Sequence, residues 1–219
     1  MQLVIHKITT EMETIAPTIT DWKHMAHELG KSFEARANDY DKRDRFVFEN
    51  YDDLKTHRFF SAAVPEELGG GGVSHSEMCT VLRTLAHYCP STSLAFSMHQ
   101  HLIAATIWRY RNKNEGAPLL QRVANDQLIL ISTGAGDWLE SNGEMTKTDG
   151  GFLVSAKKAF ASQSMVGDIV VTSAPYLHPE NGWQVMHFPV SMKSNGVSLM
   201  DDWHVMGMRG TGSHSIIFD

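Results

Sequence analysis

Two polar segments in the second half of the chain carry the residues best suited to hold a small molecule. The first, ISTGAGD at residues 131–137, follows an apolar run of strand length. It offers two hydroxyls, Ser132 and Thr133, and several backbone amides, while Gly136 and Asp137 extend the same segment. Donors and acceptors gathered at a strand end suit the polar edge of a ligand.

The second segment, KKAFASQS at residues 157–164, combines an aromatic side chain with a hydroxyl. Phe160 and Ser162 are two residues apart, a spacing that in a strand places both side chains on one face. A flat ring beside a hydrogen-bonding group suits a planar heterocycle. Each segment taken alone is also compatible with core packing and turn formation.

A run of four glycines, Gly69–Gly72 in PEELGGGG, raises the possibility of a phosphate-binding loop. A P-loop needs a preceding strand and a following Gly-Lys-[Ser/Thr], whereas this run follows a helical segment and precedes Val73-Ser74. The spaced glycines of a dinucleotide fingerprint are also missing. We therefore interpret the run as a turn between two packed helices, which leaves close approach of a ligand open.

The 12 histidines form no motif typical of a metal site, and we predict none. His24 and His27 share a helical face but lack a third ligand nearby, and His99 and His101 point in different directions. His99 is a candidate to face a substrate pocket. The alternative is a hydrogen-bonded or exposed helical histidine. No Gly-x-Ser-x-Gly elbow supports a hydrolase.

Two kinds of secondary structure must position these segments. Apolar spacings of three and four predict helices in the first half, at about 18–38, 49–57, 74–89, 91–110 and 118–126, one of them starting at a Ser74–Glu77 capping box. Strands are predicted at 127–132, 144–148, 152–156, 168–174, 184–190, 197–200 and 215–218, with Asp149-Gly150 as a hairpin turn. We predict an α+β fold, with an all-helical N-terminal domain at 1–126 and an antiparallel β-barrel or sandwich at 127–219.

Composition excludes several classes of protein. The net charge is −6 and no dense Lys/Arg cluster offsets it, which argues against nucleic-acid or anionic-membrane partners. No apolar run approaches the ~20 residues of a membrane span, and MQLVIHKITTEME lacks the features of a signal peptide. Cys79 and Cys89, predicted on one helix, lie too far apart for a disulfide. We predict a cytoplasmic protein.

Taken together, four segments resemble the acyl-CoA dehydrogenase family over nearly the whole chain. They are VPEELGGGGVSHSE, ISTGAGDWLESNG, GGFLVSAKKAFASQS and WHVMGMRGTGSHSIIFD. The resemblance implies a helical domain, a β-barrel middle domain and FAD held between that barrel and a C-terminal four-helix domain. That last domain, which in the family supplies the catalytic glutamate, would follow Asp219, so no catalytic base is assigned here. Full-length members are expected to be homodimers or homotetramers.

The resemblance also implies roles for individual residues. Phe160 would lie against the isoalloxazine ring, and Ser162 would hydrogen-bond near its N5. Ser132 and Thr133 would contact the flavin, with backbone around Leu130 bonding its pyrimidine edge. Gly136, Asp137 and His99 are the candidate substrate contacts.

These roles imply an oxidoreductase of fatty acid metabolism that dehydrogenates an acyl thioester and passes electrons to an electron-transfer protein. ISTGAGD lacks the family's usual Glu-Pro and the serine that often touches CoA. These departures, together with a pocket-facing His99, are the support for an alternative, a flavin-dependent monooxygenase of the same superfamily. A truncated relative that only binds partners is a third hypothesis.

Overall fold

Between residues 20 and 126 the chain folds into five α-helices and two short 3-10 helices. The computed structural model describes residues 20–219. The helices are α1 (Trp22–Lys42), α2 (Phe48–Thr56), α3 (His75–Tyr88), α4 (Pro90–Lys113) and α5 (Ala117–Asp126), with 3-10 turns at Phe59–Ser61 and Glu66–Leu68. The predicted helices are present, α4 being longer at its C-terminus than its apolar stripe indicated.

Local sequence sets the helix boundaries. Asp21 caps α1 by accepting a 2.9 Å hydrogen bond from the backbone amide of His24. Ser74 and Glu77 form the predicted capping box at the start of α3. Pro90 occupies the first turn of α4, where its missing amide proton costs nothing.

The four glycines form a tightly packed turn between the short helix at Glu66–Leu68 and α3. Gly69 has a φ of +87°, and a Cβ on Gly70 would lie 2.1 Å from the carbonyl oxygen of Val64. A Cβ on Gly71 would lie 2.5 Å from the ring of Trp22. The chain reverses where only glycine fits, which confirms the interpretation as a turn between packed helices.

In the described residues of the second half, seven strands form one mixed sheet. They are β1 (Leu130–Ser132), β2 (Glu144–Thr148), β3 (Gly151–Lys158), β4 (Ile169–His178), β5 (Gly182–Ser191), β6 (Val197–Leu199) and β7 (Ile216–Phe218). The strand order is β1-β4-β2-β3-β7-β6, with β5 also paired to β4. A five-residue helix, α6 (Ala135–Leu139), follows β1, and a 3-10 turn spans Arg209–Thr211.

This architecture confirms the predicted α+β fold. It differs from the predicted antiparallel sheet in two strand pairs. Strand β1 runs parallel to β4, with Leu130 opposite Ile169, and β2 also pairs with β4 in parallel, with Met145 opposite Tyr176. The antiparallel pairs are β2 with β3, β3 with β7, β4 with β5 and β6 with β7.

The helices and the sheet share part of their core. One cluster joins Leu102 and Ile103 of α4 and Leu120 of α5 to Leu130 of β1 and Ile169 of β4. The last helix before the sheet ends at Asp126, where the sequence predicts the domain boundary. Because apolar side chains of both halves pack together there, β1 is held rigidly against α4.

Other predictions meet the structure as follows. Both cysteines are free thiols, and Cys89 lies between α3 and α4, not within one helix. Among residues 20–219, no helix combines the length and apolar character that a membrane crossing needs. Two predictions concern residues outside the described range. They are the absence of a signal peptide at residues 1–13 and the first two residues, 18 and 19, of the first predicted helix.

Candidate functional site

Phe160 presents a flat aromatic face to the surface. Its side chain is 63% exposed, and its φ of +58° lies in the left-handed region that bulky residues rarely adopt. The Gly134 amide donates a 3.1 Å hydrogen bond to the carbonyl of Ala159, so β3 and the loop after β1 hold this position from both sides. An outward aromatic ring kept in a costly backbone conformation is typical of a functional position.

Glycine makes room beside that ring. A Cβ on Gly134 would lie 3.2 Å from Cδ2 of Phe160, so the backbone approaches the ring closely. A Cβ on Gly136 would meet no atom within 4 Å, because this position opens onto a concave surface of about 480 Å³. Its lining consists of Gly134, Ala135, Gly136, Asp137, Glu140, Ser141, Asn142, Ala159 and Phe160. The residues present therefore fit a flat ring laid against Phe160.

Ser162 does not share the exposure of Phe160. The predicted common face assumed a strand, but β3 ends at Lys158 and the chain turns, with the Ser162 amide bonded to the Phe160 carbonyl at 3.1 Å. Ser162 is only 8% exposed, and its Oγ lies 2.8 Å from Oγ of Ser213. Phe160 and Ser162 therefore do not share the predicted strand face, although both residues border the same turn.

A buried ion pair and the hydrogen bonds around it engage two of the predicted contact residues, Asp137 and Thr133. Lys158, with a fully buried side chain, forms an ion pair with Asp137, whose side chain is 7% exposed. The hydroxyls of Thr133 and Thr172 donate to Oδ2 of Asp137 at 2.6 and 2.9 Å. Burial raises the pKa of Asp137, but the bonds from Lys158 and Thr133 outweigh it and lower the pKa.

This network fixes the segment next to the concave surface. Ser173 adds a 2.7 Å hydrogen bond to the carbonyl of Asp137, and Lys158 donates to the carbonyl of Asn142 at 2.8 Å. The carboxylate of Asp137 and the proton of Thr133 are thus engaged inside the protein, and the Ser132 hydroxyl bonds the Thr133 carbonyl at 3.2 Å. Sequence patterns did not single out Lys158, because a lysine at a strand end usually reaches solvent.

Two predicted contacts are corrected by the structure. His99 is fully buried: its Nε2 donates to the carbonyl of Phe60 at 2.8 Å, and its Nδ1 accepts from the Leu130 amide at 3.0 Å. Burial lowers the pKa of His99 to about 4. The Leu130 carbonyl in turn accepts from Nε2 of Gln163 at 2.8 Å. Neither His99 nor the backbone of Leu130 has a free group for a ligand.

A larger cavity, of about 590 Å³, opens between α3 and α4. Its lining is mostly apolar and includes Ala63, His75, Met78, Cys79, Leu82, Ser97, Met98, Gln100, His101, Ala104, Ile107, Trp108, Arg111 and Asn112. Gln100 is 4% exposed, its Nε2 donates to the Phe59 carbonyl at 3.2 Å, and its Oε1 has no partner among the described residues. The volume lies in the range of small-molecule sites.

His101, not His99, borders this cavity. Its ring centroid lies 6.4 Å from that of Trp138 on α6, so α6 connects the cavity to the segment beside Phe160. Burial lowers the pKa of His101. The two histidines point in different directions, as predicted, but the prediction of His99 as the pocket residue is wrong, because His99 is the inward one.

Comparison with known proteins identifies a family whose model matches this chain. Residues 15–127 match the model described as the acyl-CoA dehydrogenase N-terminal domain. The chain is 26% identical over 195 residues to the probable FMNH2-dependent monooxygenase SfnC of Pseudomonas putida, covering 89% of this chain and 48% of that protein. It is 22% identical over 206 residues to the caffeyl-CoA reductase-Etf complex subunit CarC of Acetobacterium woodii, covering 89% of this chain and 54% of that protein.

Among solved structures, FMN-bound TdsC from Paenibacillus sp. A11-2 superposes with a TM-score of 0.82 at 20% identity, covering 91% of this chain and 51% of that chain. At this level of identity the likeness shows a common fold. The chain spans about half the length of the curated relatives it matches.

Proposed function

Since the chain belongs to the acyl-CoA dehydrogenase family, we propose that it is a flavin-dependent oxidoreductase of the monooxygenase type. The observation that carries the proposal is the exposed ring of Phe160, held in a left-handed backbone conformation beside an open, glycine-lined surface. The similarity to SfnC, whose name describes an FMNH2-dependent monooxygenase, supports the choice of reaction.

The isoalloxazine ring is proposed to stack on Phe160, with backbone of the Gly134–Gly136 segment along its edge. Ser162, at the turn after Phe160, is the proposed side-chain contact to the central nitrogen. Thr133 and Asp137 act indirectly, because their polar groups hold α6 in place through Lys158. We propose FMN as the flavin, since the SfnC and TdsC names specify FMN; FAD belongs to the dehydrogenase alternative.

In a monooxygenase the reduced flavin supplies two electrons to dioxygen, so that one oxygen atom enters the substrate and the other leaves as water. The protein binds and orients both partners and limits access of water. The Lys158–Asp137 pair keeps the loop below the ring rigid, and the Phe160 side chain shields one face of the ring from solvent.

The organic substrate is proposed to occupy the cavity between α3 and α4. Its apolar lining favours a hydrophobic molecule. His101, at the cavity border, is available to exchange a proton with it. Indole, a small apolar ring, meets the requirement for a hydrophobic molecule.

A second candidate is dehydrogenation of an acyl thioester, with FAD and an electron-transfer protein. The similarity to CarC, a subunit of a complex named for Etf, favours it. Against it stands the side chain of Asp137, which is engaged by Lys158 and cannot turn to a CoA group without breaking a buried ion pair.

One experiment separates the two reactions. Purified protein loaded with oxidised flavin is mixed anaerobically with a panel of acyl-CoA thioesters, and a second sample with chemically reduced FMN receives oxygen and indole. We expect no flavin bleaching in the first sample and an oxygenated indole product in the second. Bleaching by an acyl-CoA would overturn the monooxygenase assignment.

The proposed substrate cavity has its own matched pair of variants. Ala104→Phe places a ring inside the cavity and is expected to weaken indole binding at least tenfold in equilibrium titrations. Ala105→Phe, on the adjacent exposed position of α4, adds the same ring outside the cavity and leaves binding unchanged. Equal effects of the two variants would place the substrate elsewhere.

A further inference from the structure

Ser162 is the first of three buried hydroxyls in a row. Its Oγ lies 2.8 Å from Oγ of Ser213, and Ser213 Oγ lies 2.8 Å from Oγ1 of Thr211. Ser213 and Thr211 are 5% and 1% exposed, so the hydroxyls have one another as partners and little contact with bulk water. The intervening Gly212, with a φ of +51°, lets the two side chains meet on one side of the loop.

At the Thr211 end of this row, the direction of hydrogen-bond donation is fixed. Oγ1 of Thr211 lies 3.0 Å from the carbonyl oxygen of Met208, which can only accept a hydrogen bond. Each hydroxyl has a single proton. If Thr211 donates to Met208, then Thr211 must accept from Ser213, and Ser213 must accept from Ser162. The proton of Ser162 then points into the protein, which leaves only its lone pairs for a group outside the row.

The opposite order of donors is possible only with one bond fewer inside the protein. Thr211 would donate to Ser213, Ser213 to Ser162, and Ser162 outward, which leaves the Met208 carbonyl with the Thr211 amide alone at 3.1 Å. A single neutral hydrogen bond corresponds to a factor of about 3–10 in an equilibrium constant. Donation from Ser162 through Ser213 and Thr211 to the Met208 carbonyl is therefore favoured about 3–10-fold over the opposite direction.

We propose that Ser213 and Thr211 are positioning residues that make Ser162 a hydrogen-bond acceptor toward the ligand on Phe160. The inference rests on the proposed flavin site. The central nitrogen of a flavin, N5, carries a hydrogen in the reduced form and only a lone pair in the oxidised form. A hydroxyl that accepts therefore selects the reduced cofactor, as an enzyme that receives reduced FMN requires.

The test compares the dissociation constants of oxidised and reduced FMN, measured anaerobically by fluorescence titration. Wild-type protein is expected to bind reduced FMN more tightly. Ser213→Ala frees the Ser162 proton, and Thr211→Val, an isosteric change, removes the acceptor that orients Ser213. The ratio compared is the dissociation constant of oxidised FMN divided by that of reduced FMN. Each variant is expected to lower this ratio about 3–10-fold.

Two further variants separate this effect from a general loss of structure. Ser164→Ala removes a neighbouring buried hydroxyl that bonds the Gly212 carbonyl at 3.0 Å and leaves the ratio unchanged. In a Ser162→Ala background, adding Ser213→Ala has no further effect on the ratio, because the hydroxyl that it orients is gone.

The outcomes are distinguishable. If the protein binds FMN but Ser213→Ala and Thr211→Val leave the ratio of dissociation constants within twofold of wild type, the positioning role of Ser213 and Thr211 is overturned and the flavin site still stands. An equal change in the ratio with and without Ser162 also overturns the positioning role. Failure of the wild-type protein to bind either form of FMN overturns the proposed function together with the positioning role.

Discussion

His99 makes the stability of the protein depend on pH in a defined range. The imidazole is fully buried between the Phe60 carbonyl and the Leu130 amide, and the bond that its Nδ1 accepts from the Leu130 amide requires the neutral form. Its pKa of about 4 in the folded protein, against 6.5 for the free side chain, corresponds to about 3 kcal/mol. Because the unfolded chain binds the proton more readily, this stabilisation is complete above pH 6.5 and is lost as the pH falls toward 4.

The assay is urea unfolding followed by tryptophan fluorescence at pH 7.5, 6.0 and 4.5, for the wild type and His99→Gln. Glutamine keeps a donor for the Phe60 carbonyl and leaves the Leu130 amide unpaired, so the variant is less stable by about 1–3 kcal/mol at pH 7.5. Between pH 7.5 and pH 4.5 the difference between the two proteins should shift by about 2.5 kcal/mol in favour of the variant, since the variant has no proton to bind there.

Comparison with His24→Gln, which removes an exposed imidazole from α1, corrects for other titrating groups. We expect this control to follow the wild-type pH dependence. If His99→Gln also runs parallel to the wild type between pH 7.5 and 4.5, then His99 is not the buried neutral histidine described above.

Two further predictions concern packing around the site. Lys158→Met leaves a buried carboxylate without its cation and should lower the free energy of unfolding by about 3–5 kcal/mol in urea titrations. The control is Lys157→Met, which breaks an ion pair whose lysine is 53% exposed and should change the free energy of unfolding by less than about 1 kcal/mol. Equal losses would refute the role of burial. Gly70→Ala forces a Cβ against the Val64 carbonyl and should cost about 3 kcal/mol by thermal unfolding, while Gly136→Ala, with open space around it, should be nearly neutral; a neutral Gly70→Ala would contradict the packed turn.

Local signals in the sequence were sufficient for much of the fold. The Ser74–Glu77 pair fixed the start of α3, and Asp149-Gly150 located the β2–β3 hairpin. Both signals depend on residues a few positions apart. The predicted strand at 127–132 is shorter in the structure, because Gln127 takes a left-handed conformation that ends α5 and delays β1. Helix α6 was missed, since its five residues begin among glycines.

Features that depend on distant contacts could not be predicted in the same way. The parallel pairing of β1 with β4 joins residues 39 positions apart, and hydrophobic alternation gives no information on strand direction. The same holds for the site. Phe160 was identified, but its left-handed backbone depends on contacts with the loop after β1, and the partners of Ser162 lie about 50 residues downstream.

The choice of His99 over His101 shows the same limit. The helical period separates the two side chains but does not say which faces the core. That is decided by β1, whose Leu130 amide supplies a hydrogen bond only to the inward residue.

Binding of FMN to wild type, Phe160→Ala and Phe152→Ala is the most direct test of the account. Phe152 is a second exposed phenylalanine, 45% exposed on β3, and serves as the control. Stacking of a flat ring on an aromatic side chain contributes about 1–3 kcal/mol, so Phe160→Ala should weaken binding about 5–100-fold in fluorescence titrations, and Phe152→Ala should leave it unchanged. Equal affinity of all three proteins for FMN would contradict a flavin site at Phe160.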